Sequence, residues 1–454
     1  VAWGENRAGV QSVLDNRKAG GALPKRVWLV LAVGSFTAAL GQNTGGYTGP
    51  AVLSRAGAPL GKYLGQPITF RFHAGVQGSY YTDLFTPAID EAGNLITESG
   101  PGVIGTVGVY GARNGPHDTL AVDFLAAYRA YSRTNLRSYN GADARLGLDY
   151  ARQTSVKTAF ELGVNAATYS YSYGGLYQPV VPDPSEELDG SAVEPFDTRT
   201  TRLSARAGVS HFFTQRWYIT LRGGGYTAQR RSAALLDYSG FSGGAALQYR
   251  LSENTTIGPT YEYSQFYFSA NVGQSWIHDI QLALEHKFSP HWQIVLGAGV
   301  YRVRSERVTA VPLDPVIAAI IGRPTTLQPV DDRRMGPSIR ATLSRSFQRG
   351  SLSFYLYQGV RPGNSFMATS ETTSFGVSYS YTATSRVNFG LRANYYRANA
   401  TMESGVKYDN YGAGAAMGVR LTRSLHFTAG VDYRTQELRN PRYNRNRMRA
   451  FFGP

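Results

Sequence analysis

Residues Arg386-Val-Asn-Phe-Gly-Leu-Arg-Ala-Asn-Tyr395 alternate strictly: Val387, Phe389, Leu391, Ala393 and Tyr395 fall on one face, and Asn388, Gly390, Arg392 and Asn394 on the other. Successive side chains of a β-strand point to opposite sides, so this period of two is a strand that meets a different environment on each face. The next two stretches repeat the scheme. Ala413, Ala415, Met417, Val419 and Leu421 oppose Gly412, Gly414, Gly418 and Arg420. Leu425, Phe427, Ala429, Val431 and Tyr433 oppose His426, Thr428, Gly430, Asp432 and Arg434.

Working outward from these three, similar segments tile the chain from Ile68 onward. They lie near 67–81, 102–112, 117–132, 141–153, 156–174, 199–213, 216–230, 238–251, 255–269, 274–288, 291–304, 335–348, 351–361, 372–383, 386–399, 410–422, 425–436 and 444–454, which makes eighteen. Such lengths suit tilted strands crossing about 25 Å of hydrocarbon. The connections alternate as well. Tight ones occur at Arg113-Asn114-Gly115, Gln153-Thr154-Ser155, Thr214-Gln215, Ser252-Glu253-Asn254, Ser289-Pro290, Arg349-Gly350, Thr384-Ser385 and Thr422-Arg423, with longer ones between them, including 84–101, 175–198, 305–334 and 400–409. Aromatic residues gather on the apolar parity beside the tight turns: Phe213, Trp217, Phe288, Trp292, Phe347 and Phe354. High β-propensity accounts for aromatics in strands; a membrane interface accounts for their clustering at strand ends.

Composition agrees. The 454 residues include 51 glycines, 31 tyrosines and no cysteine, and only 17% are charged. Without cysteine there is no disulfide scaffold, thiol nucleophile or thiolate metal site. The mean hydropathy of −0.27 fits a soluble protein or the average of two opposed strand faces. At the N-terminus, Lys25 and Arg26 precede the apolar run Val27–Val33 and the small-residue segment Thr37–Gly41. That order reads as a secretory signal cleaved after Gly41, and the 24 residues before Lys25 read as a start assigned too early. The expected organisation is an extension plus signal peptide over 1–41, a short periplasmic segment over 42–66 and a barrel over 67–454. The formal charge of +15 would become +12 on processing, because residues 1–41 hold five Lys/Arg and two acids.

The paired strands, the turn asymmetry and the aromatic clusters resemble Gram-negative outer-membrane β-barrels of the porin-like kind, over roughly residues 67–454. The resemblance is architectural. It implies an all-β, single antiparallel up-and-down transmembrane barrel of about 18 strands (16–18), with short periplasmic turns and long extracellular loops. Two departures stand out. The chain stops at Phe451-Phe452-Gly453-Pro454, which reads as a shortened closing strand. Pro259 and Pro337 sit inside strand patterns, where each removes a ladder donor, so a bulge or local break is expected.

With the apolar parity in lipid, the inner face follows by subtraction. Its basic residues are Arg71, Arg129, Arg145, Arg202, Arg206, Arg222, Arg250, Arg340, Arg392, Arg420 and Arg434; its acids are Asp123, Asp143, Asp149, Glu161, Glu262, Asp279, Glu285 and Asp432. Gly75, Gly147, Gly163, Gly208, Gly224, Gly258, Gly297, Gly390 and Gly418 share that face, leaving the interior open or letting strands bend. Opposed charges of this kind either favour anionic solutes or simply brace and hydrate a lumen.

The loop 305–334 contains an apolar patch including Val316, Ile317, Ile320 and Ile321, a candidate constriction whose deletion over 312–321 should raise conductance. The loop 175–198 carries Asp183, Glu186, Glu187, Asp189, Glu194 and Asp197 without a Lys or Arg, and fits a solvated acidic loop better than any cation-binding repeat.

No HExxH occurs, His73 and His426 lie apart on the inner parity, and the basic residues form no single stripe. Neither catalysis, cofactor or metal binding, nor nucleic-acid binding is therefore expected. The expected function is passive passage of small hydrophilic solutes, anionic or saccharide, or of an exported polysaccharide. A non-conducting structural or adhesive barrel with a filled lumen and binding loops is the alternative. The resemblance also implies membrane lipid, lipopolysaccharide and the barrel-assembly machinery as partners, with oligomers open.

Overall fold

The computed structural model describes residues 69–89, 95–115, 117–133, 140–170, 199–231, 236–269, 273–312, 325–362, 369–401, 407–422, 424–439 and 443–453. The signal and periplasmic segments, the acidic loop 175–198 and the apolar residues Val316, Ile317, Ile320 and Ile321 lie outside the described residues.

Eighteen strands follow one another: β1 (Thr69–Ile89), β2 (Leu95–Asn114), β3 (Asp118–Tyr131), β4 (Gly141–Ser155), β5 (Thr158–Ser170), β6 (Arg199–Phe212), β7 (Trp217–Arg230), β8 (Tyr238–Ser252), β9 (Thr255–Phe268), β10 (Gly273–Ser289), β11 (Trp292–Pro312), β12 (Thr325–Phe347), β13 (Gly350–Pro362), β14 (Thr369–Thr382), β15 (Val387–Ala400), β16 (Lys407–Arg420), β17 (His426–Arg439) and β18 (Tyr443–Gly453). Each strand pairs antiparallel with its neighbours in sequence, and β1 also pairs with β18, so the sheet is a closed up-and-down barrel. Closure leaves no free sheet edge where each backbone bond must be satisfied within the protein.

Four of the tight turns share one piece of chemistry. The Thr214 hydroxyl accepts hydrogen bonds from the backbone N–H groups of Arg216 and Trp217, as Thr384 does from Arg386 and Val387, and Thr422 from Ser424 and Leu425. Ser289 does the same for His291 and Trp292. A hydroxyl that captures the N–H groups two and three residues on fixes the reversal locally.

The seam is short. Gly78–Tyr81 face Phe452–Arg449, and the Phe452 ring lies over Gly78, where a Cβ would come within 3.1 Å of it. Beyond the last ladder pair, the Thr82 hydroxyl accepts the Met448 N–H at 2.8 Å, a side chain taking over from the backbone. Asp83 follows at φ 53°, where the β1–β2 register shifts.

Strand ends differ from the sequence reading. Expected segments 67–81, 102–112, 291–304 and 335–348 extend to Ile89, back to Leu95, to Pro312 and back to Thr325. These extensions rise above the hydrocarbon, where cross-strand pairing continues without any need for an apolar face, so alternation could not mark them. Pro259 coincides with a local break: the β8–β9 ladder skips Leu247 and Gln248 opposite Pro259 and Gly258, with no change of register. Pro337 makes no bulge against β11, since it pairs with Val300 in an unbroken ladder.

The two faces separate clearly. On β10, Ile280 and Leu282 are each 55% exposed, whereas Gln281 between them is 8% exposed. Phe213, Trp217, Phe288, Phe347 and Phe354 are exposed on the outer parity beside the tight turns, and Trp292, half-buried there, lies under the Arg345 guanidinium at 4.9 Å. At the other end of the outer face, Tyr261 bonds His278, and Phe375, Tyr395 and Tyr411 stack in a row. Phe288 and His278 are ten positions apart on β10. Ten residues at about 3.3 Å each, tilted about 40°, rise about 25 Å, the thickness of one hydrocarbon layer.

Candidate functional site

The inner wall is built on a recurring three-strand rung. Gly163 of β5 lies in register with both Asp149 of β4 and Arg206 of β6, and these two side chains meet above it at 2.8 Å. Gly414 of β16 is opposite both Arg392 of β15 and Asp432 of β17, which meet at 2.5 Å. Gly299 of β11 lies between Gln281 and Ser338, joined at 2.6 Å, and Gly244 of β8 between Arg222 and Glu262. Residues two strands apart reach each other only if the middle position carries no side chain. A Cβ on Gly414 would fall 2.3 Å from the Asp432 carboxylate and 2.9 Å from Arg392 Nε. Gly163 and Gly414 thus seat ion pairs, and Gly299 a neutral hydrogen bond.

This yields a test. Valine suits strands intrinsically, so the effect of Gly414→Val should be confined to the pair above it. In a double-mutant cycle, the Arg392–Asp432 coupling, about 1–2 kcal/mol in the parent, should fall to near zero in the Gly414→Val background. Retention of the coupling would refute the seating role.

The inner residues read from the sequence all lie on this face, and the structure joins several of them. Arg129 binds both Asp143 oxygens at 2.8 Å, and each side chain is 2% exposed. Arg145 approaches Asp123 at 3.7 Å. Arg340 reaches Glu262 at 3.2 Å and Asp279 at 3.6 Å, while Ser338 and Gln281 donate to the same Asp279 oxygen. Glu285 accepts from Gln293. Arg71, Arg202, Arg250, Arg420, Arg434 and Glu161 share the inner parity.

Four further arginines on the inner parity escaped the sequence reading: Arg230, Arg361, Arg447 and Arg449, all nine-tenths or more buried. Their signal was present, since Arg447 and Arg449 alternate with Met448 and Ala450. At the seam, Arg449 is in register with Tyr81 of β1 on one side and Asp432 of β17 on the other. Arg434 is opposite Arg447, and both Arg447 and Arg449 lie over the Tyr81 ring. Asp432 is the carboxylate facing this group, 3.8 Å from Arg449 and shared with Arg392.

The wall also folds inward at one place. The β12–β13 ladder ends at Ile339 and Gln358, although β12 continues along β11 to Thr325 and β13 along β14 to Pro362. Past that point, Thr369 of β14 meets Ser275 of β10 at 2.5 Å, and the Tyr301 hydroxyl of β11 donates to Glu371 at 3.0 Å. Strands about 4.8 Å apart would hold β10 and β14 about 19 Å from each other along the wall. Thr369 and Glu371 share the parity of the outward Phe375, whereas Ser275 and Tyr301 are inner-face residues. The outer face of the β13–β14 tip therefore packs on the inner face of β10 and β11. Val360 joins a buried cluster with Phe266, Phe268, Ile277, Tyr301 and Val303.

Above the membrane, the β11–β12 extension is charged. Arg304 bridges Glu306 and Asp331, and Arg333 also bonds Asp331. Hydrogen bonding from Arg333, then from Arg304, holds the Asp331 carboxyl below its usual range. Asp331 consequently keeps its charge to lower pH than an aspartate without such donors.

No protein-family model matches the chain, and no curated protein matches its sequence. Among solved structures it is similar to Pseudomonas aeruginosa OccK2 (OpdF), at 12% identity and TM-score 0.41 over 86% of this chain and 98% of that one. The same figures describe the outer membrane protein opdK from Pseudomonas aeruginosa. A BenF-like porin from Pseudomonas fluorescens Pf-5 is similar at 12% identity and TM-score 0.40, over 85% of this chain and 98% of that one. Neither identity nor TM-score is high enough to transfer a residue or a solute.

Proposed function

We propose that this chain is an outer-membrane channel that lets small hydrophilic solutes pass down their concentration gradient, with anions favoured. The observation that carries the reading is Arg449: it is 4% exposed, and among the described residues none of its three guanidinium nitrogens has a hydrogen-bond partner. A buried guanidinium with unmet donors is costly, and a carboxylate or phosphate is the group that meets such a fork bidentately. A sugar acid or a segment of anionic polysaccharide has the required chemistry. The apolar outer belt supports a position in lipid; on this reading lipopolysaccharide lies against the outer rim and the barrel-assembly machinery inserts the chain.

The purified barrel in a planar bilayer should carry a stable current whose reversal potential under a salt gradient has the sign of anion selectivity. A silent bilayer would overturn the channel reading in favour of a filled, non-conducting barrel that binds through its loops, the alternative that the tucked β13–β14 tip favours.

A further inference from the structure

We propose that the tip of the β13–β14 hairpin is a gate with two seats, one inside the barrel and one in its wall. In the inner seat, described above, the Ser275–Thr369 and Tyr301–Glu371 bonds latch the tip, and Val360 fills a socket lined by Ile277, Tyr301 and Val303. The tip then narrows the interior, and β12 above Ile339 does not pair with it.

The outer seat is written into the strands. Continuing the ladder one residue at a time past Ile339 and Gln358 sets Ser338 opposite Gly359, Pro337 opposite Val360 and Gly336 opposite Arg361. In that register Val360 takes the lipid-facing parity of Phe354 and Leu356, which are 42% and 39% exposed. Arg361 would keep its inner parity and stand across from a glycine, the rung arrangement seen elsewhere in the wall. A valine on the lipid parity that is now buried within the barrel is a residue suited to both seats.

Neither seat is dominated by the other. Zipping the wall would satisfy a strand edge that now has no ladder partner, but Pro337 and Pro362 carry no N–H and weaken that ladder. The inner seat offers hydroxyl and carboxylate bonds and an apolar socket. Gly359 comes immediately after the last pair, and a Cβ there would fall against the Tyr357 ring. The moving part is the described hairpin stem, Gly359–Pro362 with Thr369–Thr372, and the fixed part is the β10–β12 wall.

The chain has no cysteine, so two engineered pairs can trap the seats separately. Oxidising Ser275→Cys/Thr369→Cys should lower conductance severalfold against the same protein reduced, and reductant should restore it. Pro337→Cys/Val360→Cys should also form a disulfide under mild oxidant, read as a gel-mobility shift, and its formation should raise conductance. Unchanged conductance on oxidising the first pair, or no disulfide in the second, would overturn the gate. The inference rests on the channel reading for its electrical readout alone. A parent barrel that passes no current refutes that reading, while disulfide formation in the second pair still reports whether the tip reaches its outer seat.

Discussion

Asp143→Ala should destabilise the folded barrel by about 3–5 kcal/mol, the cost of leaving one member of a buried ion pair without its partner. Arg129 holds both carboxylate oxygens at 2.8 Å, and both side chains are 2% exposed, so solvent screens the pair little. The loss should appear as a lower urea midpoint for unfolding from detergent, followed by heat-modifiable gel mobility. The matched test replaces both members. Buried pairs exchanged for apolar side chains of similar volume are often neutral or stabilising, so Arg129→Met/Asp143→Leu should recover most of the loss. A cost below about 1 kcal/mol for Asp143→Ala would mean that water reaches this rung, since surface pairs are worth that little. The two outcomes separate a braced interior from a hydrated one at the same position.

The barrel itself was legible wherever one strand face meets lipid, because lipid tolerates no polar side chain and so imposes alternation. The 386–395 segment illustrates this. Above the lipid that constraint vanishes. Arg304, Glu306, Asp331 and Arg333 pair across β11 and β12 without an apolar face, and the sequence alone reads the last three as loop. The tucked tip left a trace that periodicity does not look for. Thr369-Ser-Glu-Thr-Thr-Ser374 is polar on both parities, so neither face of that stretch can lie against hydrocarbon, and both are indeed covered by protein. The seating glycines were visible as inner-face glycines, but their role was not. That role depends on what stands opposite on two other strands, which is register information that one strand does not hold.

Register also decides which arginine governs selectivity. Arg449→Gln should weaken binding of a carboxylate solute, measured as block of the small-ion current, by about ten- to a hundredfold, because a hydrogen bond to a charged group is worth about 1.5–3 kcal/mol and about 1.4 kcal/mol is tenfold. The reversal potential should shift toward the cation side in the same experiment. Folding should change little. Asp432 keeps its close contact with Arg392 at 2.5 Å, and its distance from Arg449, 3.8 Å, is too long for a hydrogen bond. Arg250→Gln is the matched control: Arg250 carries the same charge on the same face but is exposed beside a tight turn. A charge there is screened over about 8 Å at physiological salt, so its removal should leave block nearly unchanged. Equal effects from the two substitutions would mean that the net charge of the wall sets selectivity, and that the unmet donors of Arg449 hold no anion.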